Sequence, residues 1–337
     1  MLTQRAVAKA LWHRARAPRR KPAEAGVGDW SPKVKMSETL SIIGAGRVGR
    51  SLGRRLHELG WRIGVVSTHS IPTARAAVRV IGAGHPSDRP TRQVLASDLV
   101  LIAVPDRVIE AVSADLAQLG GAEWRGKVVL HTSGALDSSV LGALADAGAA
   151  TGSIHPMQTF SSRGVPNLAG RMFGVDGHPA AMKVARKIIR QMGGVAVRLS
   201  GTNKAAYHAA GSFACAHVLA LLETATRLLM AQGFKRRQAT RALVALARQT
   251  LDNLERVGPR ASWTGPLTRG DFPTVQRHVD ALSEFPPEYA EAYRALSRLT
   301  AAVLSDDPKA LLQKLDGIAS FQAAAEKKKP RTKSAAG

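Results

Sequence analysis

Lys204, Tyr207 and His208 are the residues whose types and spacing point most directly to chemistry. Spacings of three and four put them on one face of a helix, near its start. Three polar donors at the base of an apolar helix are poorly explained by packing, although a solvated helix start is the plain alternative. Such a group could deliver a proton to an oxygen that gains negative charge, or hold that charge by hydrogen bonding. A second set lies at predicted strand ends: Thr132 and Ser133 after one apolar run, His155 and Pro156 after another. A hydroxyl there could hold a carbonyl or a carboxylate, or Ser133 could simply cap the next helix. His155 reads as a proton donor, a substrate ligand or a structural hydrogen-bonder. The third set is the loop Thr264-Gly265-Pro266-Leu267-Thr268-Arg269-Gly270-Asp271. Arg269 could grip a carboxylate with two parallel bonds. Otherwise the loop is a salt-bridged turn in which Asp271 caps the following helix.

The element that would place a redox partner beside these donors is the turn Gly44-Ala45-Gly46-Arg47-Val48-Gly49. The apolar run Leu40-Ser41-Ile42-Ile43 precedes it and a helical pattern follows to about Leu59, with Gly60 as a stop. Strand, glycine turn and helix are the context in which this motif holds a dinucleotide. Gly44 permits the tight turn, Gly46 lets backbone approach a pyrophosphate, and Gly49 lets the helix lie close on the strand. The second strand, Arg62 to Val66, ends in Ser67-Thr68-His69-Ser70, with Arg75 shortly after. An NAD site expects a carboxylate there for the ribose hydroxyls. Hydroxyls and a guanidinium instead favour a 2′-phosphate, so NADP(H) is preferred over NAD. Val104-Pro105-Asp106 close a continuous apolar strand at the carboxyl edge, where doubly wound sheets bind ligands.

Further strands are expected at Lys127–Leu130, Gly152–Met157, Met172–Val175 and Val195–Leu199, with helices at 107–119, 136–147 and 180–192, and Gly84–Asp88 as a polar loop. From Asn203 the pattern becomes all helical: 203–232, 235–257, a loop over 258–273, then 274–283, 287–304 and 308–323. The fold class is therefore an α/β Rossmann doubly wound parallel sheet followed by an all-helical domain. The expected division is a basic extension over 1–35, a nucleotide domain over 36–200, a helical substrate and dimerisation domain over 201–325 and a basic tail over 326–337.

The chain has 337 residues, a 45% hydrophobic fraction and a formal net charge of +23. That length supports two domains with a sizeable core. The charge invites a nucleic-acid reading, but the basic ends account for much of it, and a basic body suits an anionic cofactor and substrate. Nucleic acid is therefore not the expected partner. Cys215 is the one cysteine, so no disulfide framework exists and a reducing, cytoplasmic setting is expected. No apolar run is read as a membrane span, and no metal site is expected.

Several of these stretches together carry a family resemblance. They are the glycine turn, Asp98 to Asp106, His131-Thr132-Ser133-Gly134-Ala135, Gly152 to Phe160, Lys204 with Tyr207-His208-Ala209-Ala210, and Thr264-Gly265-Pro266 with Arg269-Gly270-Asp271. Their order and spacing resemble bacterial proteins that join a Rossmann-like NADP-binding domain to a DUF2520 domain, over Leu40 to about Leu282. The resemblance implies a helical domain like that of 6-phosphogluconate dehydrogenase, a homodimer, and kinship with ketopantoate reductases, pyrroline-5-carboxylate reductases and prephenate dehydrogenases. In related hydroxyacid dehydrogenases a lysine opening the long helix acts in proton transfer, and Lys204 matches that place; His208 stands where an asparagine is common. His155-Pro156-Met157 is similar to a segment of prephenate dehydrogenases. Cys215-Ala216 departs from the family's Ser-Asn, which puts specificity or activity in question. The implied activity is NADP-dependent reduction of a small, ketopantoate-like 2-oxo acid. In that reading Lys204 and His208 serve the proton, Ser133 and His155 orient the substrate, Thr132, Tyr207 and Thr264 line it, and Arg269 clamps its carboxylate. Prephenate- or arogenate-type oxidation, pyrroline-carboxylate-type imine reduction and a non-catalytic NADP-binding regulator are the alternatives.

Overall fold

The computed structural model describes residues 39–161, 164–199, 203–318 and 321. The basic extension and tail expected over 1–35 and 326–337 lie outside the described residues. The chain forms two compact units that divide between His208 and Ala209.

The first unit is built on eight strands: β1 (Thr39–Ile43), β2 (Arg62–Ser67), β3 (His85–Ser87), β4 (Leu99–Ile102), β5 (Val128–His131), β6 (Ala150–Pro156), β7 (Met172–Gly177) and β8 (Val195–Arg198). They form one sheet in the order β3-β2-β1-β4-β5-β6-β7-β8. Every neighbouring pair is parallel except β6 and β7, where Ser153 faces Asp176 in antiparallel register. The polar stretch read as a loop, Gly84–Asp88, thus contributes an edge strand. Its three residues pair only with Val65, Val66 and Ser67, which is too short a run to show period-two patterning.

The central strands are buried on both faces and so read as unbroken apolar runs. Leu40, Ile42, Leu99, Leu101 and Leu130 point to one face, under helices α1 (Arg47–Glu58), α2 (Ile71–Ile81) and, further along the chain, α5 (Pro179–Gln191). Ile43, Val65, Val100, Ile102 and Val129 point to the other, under α3 (Ile109–Gly120) and α4 (Gly142–Asp146). The helix expected over 136–147 is reduced to a 3₁₀ turn, Ser138–Leu141, and the short α4. Asp137 accepts the Ser139 N–H and caps that turn.

At the first β–α bend, Gly44 takes φ 86°, a left-handed conformation costly for any other residue. Gly49 is constrained by space: a Cβ there would lie 2.3 Å from the Gly44 carbonyl oxygen.

The second unit is helical. Helix α6 (Lys204–Ser212) crosses the unit boundary and continues through a π-helical turn, Phe213–His217, into α7 (Val218–Ala231). Helix α8 (Arg236–Ser262) follows, broken near its end where Gly258 takes φ 80° ahead of Pro259. Helices α9 (Phe272–Leu282), α10 (Pro287–Leu304) and α11 (Pro308–Asp316) complete it, around a small core of Val275, Val279, Ala301, Leu311 and Leu315. The continuous helical stretch Lys204–Ala231 corrects one reading of the sequence. It is long and apolar enough to cross a membrane by length and composition. Interspersed Ala, Gly, Ser and His hide that length from a search for unbroken large apolar residues. The lysine that opens it is enclosed by strand residues of the first unit. Further along, Phe213, Leu219, Leu246 and Leu251 are more than half exposed.

Substituting Gly49→Ala should lower the midpoint of thermal denaturation. The methyl group meets rigid backbone at 2.3 Å, and overpacking of this kind costs about 1–3 kcal/mol. Gly46→Ala, whose Cβ would meet nothing within 4 Å, serves as the control for the glycine-to-alanine change.

Candidate active site

The carboxyl ends of β4, β5 and β6 and the first two turns of α6 bring the polar groups of the first unit together. Lys204 is wholly buried, and its Nζ donates to Ser153 Oγ at 2.7 Å and to the Ser133 carbonyl at 3.3 Å. Burial pulls its pKa down to about 8, with Asp176, Asp137 and Asp106 opposing the shift. The ammonium is thus a positive charge fixed beneath the strand ends.

Around it the hydroxyls and imidazoles are committed to definite partners. Ser133 Oγ donates to Asp106 Oδ2 at 2.9 Å and accepts from the backbone N–H groups of Ala135 and Leu136. It therefore caps the chain after β5 and ties it to the end of β4. Thr132, half-buried, extends the ladder by donating its N–H to the Ile102 carbonyl. His131, wholly buried, accepts the Ser133 N–H at Nδ1, so its Nε2 carries the proton and donates to the Asp137 carbonyl. Burial first, and the Lys204 charge second, push its pKa down to about 4.

A second layer is more open. His155 Nδ1 lies 3.0 Å from the Tyr207 hydroxyl. The His155 ring meets Tyr207 and His208 edge to face, with centroids 5.4 and 5.6 Å apart. His155 is half-buried and its pKa falls to about 4, through burial and then the His208 and Lys204 charges. Burial also raises the Tyr207 hydroxyl, so it stays protonated. His208 is exposed. Two glycines make room for the cluster. A Cβ on Gly134 would fall 2.6 Å from His208 Cδ2 and 2.7 Å from His155 Nε2, and one on Gly174 would fall 2.9 Å from the Tyr207 hydroxyl oxygen.

Of the residues expected to act, Lys204, Tyr207, His208, His155, Ser133 and Thr132 all fall in this first-unit cluster. Thr264 and Arg269 belong to the second unit, where both are exposed in the turn before α9. There Asp271 accepts the Thr274 N–H and caps that helix. Ser153, His131 and Asp176 were not anticipated. Ser153 sits mid-strand, where a serine reads as an ordinary polar substitution, and only its distance to Lys204 reveals its role. Asp106 was placed by its position at the strand end, but its bond to Ser133 was not legible.

The glycine turn fits a diphosphate. Gly46 precedes α1 with no side-chain cap, so the first N–H groups of that helix are not closed off by their own residue. Open space lies where its Cβ would be. Helix N-termini of this kind bind phosphate. Ala45 is buried, Gly46 and Arg47 are exposed and Val48 is half-buried. The residues after β2 are divided. Ser67 is buried and its carbonyl accepts the Gly44 N–H, while Thr68 Oγ1 donates to the Ser70 carbonyl. Arg75 is exposed in the first turns of α2. Val104, half-buried, and exposed Pro105 and Asp106 follow β4.

Comparison with known proteins agrees with this architecture. Residues 28–156 match the family model described as a Rossmann-like domain, and residues 171–300 the one described as domain of unknown function DUF2520. The chain thus combines a Rossmann-like domain with a DUF2520 domain. Its fold is similar to that of a Bacteroides fragilis protein assigned as an NADP oxidoreductase, at 20% identity and TM-score 0.63, covering 77% of this chain and 96% of that one. An imine reductase from Myxococcus stipitatus in complex with NADP+ aligns at 20% identity and TM-score 0.56, covering 82% and 99%. A pyrroline-5-carboxylate reductase from Coxiella burnetii aligns at 15% identity and TM-score 0.51, covering 87% and 98%. Comparison with curated proteins gave no match.

The buried histidine makes a pH prediction. Because the folded pKa of His131 lies near 4 and its ordinary value is 6.5, the unfolded chain takes up the proton first as pH falls. Stability is then lost progressively from about pH 6.5 to pH 4 and levels below, by about 3 kcal/mol for a shift of this size. His131→Asn should flatten that limb of the stability–pH curve, measured by urea denaturation at a series of pH values. His155 contributes with the same sign, so a residual slope is expected.

Proposed function

We propose that the chain is an NADP-dependent oxidoreductase that reduces a small 2-oxo acid to a 2-hydroxy acid. The observation that carries this reading is the layered cluster at the strand ends: a fixed ammonium beneath, two imidazoles and a phenol above, and a glycine floor that leaves them room. The uncapped start of α1 and the Gly44–Gly49 turn would hold the coenzyme pyrophosphate, Arg75 its 2′-phosphate, and Val104, Pro105 and Asp106 the edge beyond. Bound there, NADPH supplies the hydride. Reduction of a carbonyl then leaves negative charge on oxygen, and the chain's own residues answer that charge. Lys204 stabilises it through the field of an enclosed cation, which is worth more out of water than in it. Because Lys204 is wholly buried, we assign proton delivery to the exposed imidazole of His208. His155, neutral near pH 7 and tied to Tyr207 through Nδ1, orients the oxygen through Nε2.

A fixed cation under the site argues against a charged iminium as substrate and for an oxygen that becomes anionic. This ranks 2-oxo acid reduction above imine reduction, although the fold serves both. The exposed leucines of α7 and α8 support assembly as a homodimer, since patches of that kind on a soluble chain normally meet a partner. A soluble, cytoplasmic setting accords with the lone cysteine.

NADPH oxidation over a panel of 2-oxo acids and cyclic imines tests the reading. Turnover with a 2-oxo acid is expected, and His208→Ala should lower kcat about 10²–10⁴-fold with little change in coenzyme affinity. Coenzyme binding without turnover of any panel member would leave a binding protein instead. Arg75→Ala should weaken NADPH about tenfold and NADH little, as measured by calorimetry, because one charge-assisted contact to phosphate is lost; equal weakening of both would remove Arg75 from the 2′-phosphate.

A further inference from the structure

The helices on the two faces of the first unit's sheet differ in charge, although the 3₁₀ turns beside α3 add Arg92 and Arg107 to its face. On one face, α2 presents Arg75 and Arg79, and α5 presents Lys183, Arg186, Lys187 and Arg190, and neither helix contains a carboxylate. Helix α1, on the same face, adds four arginines against a single acid, Glu58, which is already held by Arg54 and Arg55. The helices on the opposite face, α3 and α4, carry Glu110, Asp115 and Asp146 and no lysine or arginine.

This division follows from the helix period. In α5, Ala181, Met182, Ala185, Ile188 and Ile189 are buried against the strands, so the cations between them turn outward. Lys183, Arg186 and Arg190 are exposed, as is Arg79. Mutual repulsion among such charges destabilises the unit, and a coenzyme at the first β–α bend needs none of those on the outside of α5.

We propose that this face docks the phosphate backbone of a nucleic acid, without reading its base sequence. Three features favour that partner. The charges recur along three helices packed on one layer, as a run of phosphates requires, rather than gathering at one point as a single anion would. Most of them are arginines, whose planar fork matches phosphate oxygens. Among the described residues, no large apolar side chain of α1, α2 or α5 is exposed, whereas a helix that lies on a membrane sinks such groups into the lipid. The net charge of the chain is therefore not only a property of its ends.

The test is fluorescence anisotropy of the full chain with a labelled mixed-sequence DNA duplex and, separately, with a labelled single-stranded RNA, over a range of salt concentrations. Binding to either probe, with log affinity falling linearly with log salt, is expected; the preferred probe assigns the kind of nucleic acid. The triple variant Lys183→Glu/Arg186→Glu/Arg190→Glu should lose at least about tenfold in affinity, and its salt slope on duplex should fall by about 3, near 0.9 for each phosphate contact removed. A cooperative thermal transition with a midpoint no lower than the parent's would show that the variant is folded. Glu110→Gln/Asp115→Asn, on the opposite face, should bind as the parent does. The proposal fails if the full chain binds neither probe at low salt. It fails if the triple variant keeps the parent's affinity and slope, since the contacts would then come from the basic ends of the chain. It fails equally if the chain binds phosphatidylserine vesicles and neither nucleic acid.

Discussion

The enclosed ammonium of Lys204 sets the arrangement on which the rest of the site depends. Its Nζ reaches Ser153 in the middle of β6 and the Ser133 carbonyl after β5, so one charge pins the start of α6 to both strands at once. A buried cation without hydrogen-bonding partners would be heavily penalised, and these two acceptors make it tolerable. Once it is seated, the next turn of the helix has little freedom: Tyr207 meets His155, and His208 comes to rest over Gly134. The position of the open His208 imidazole follows from where the closed lysine sits on the same helix.

The same charge organises the electrostatics. It helps burial to keep His131 and His155 neutral at ordinary pH, which makes them hydrogen-bonding groups of defined tautomer or orientation rather than free cations. Asp106, Asp137 and Asp176 act the other way and hold the lysine charge in place. Asp106 also links β4 to β5 through Ser133, so one of the three carboxylates that favour the cation also ties the strand ends together. Stability and site geometry are here properties of one network.

Much of the architecture was legible because its signals are local. The glycine turn, the apolar strands and the helical second half depend on spacings of a few residues, and periodicity reports those directly. The spacing of Lys204, Tyr207 and His208 likewise announced a shared face. The edge strand at His85–Ser87 escaped notice because three residues hold no pattern. Ser153 escaped because its role depends on a lysine 51 residues away. Ser67 and Thr68 were read as phosphate ligands from their position, yet the Ser67 side chain is buried and the Thr68 hydroxyl is taken by the Ser70 carbonyl. Local position could not reveal that, because satisfaction of a hydroxyl depends on what the backbone offers nearby.

Taken alone, the sequence determined the order of the elements, the existence of a dinucleotide-type bend at Gly44–Gly49, and which side chains were chemically able to serve protons and anions. These follow from backbone preference and side-chain chemistry, which each residue carries with it. Only the tertiary structure decided that Lys204 is enclosed while His208 is open, that Ser133 is a cap bound to Asp106, and that the cations of α1, α2 and α5 share one face. Burial, pKa and the pairing of charges arise from neighbours brought in from distant parts of the chain, and those neighbours exist only once the sheet has closed over them.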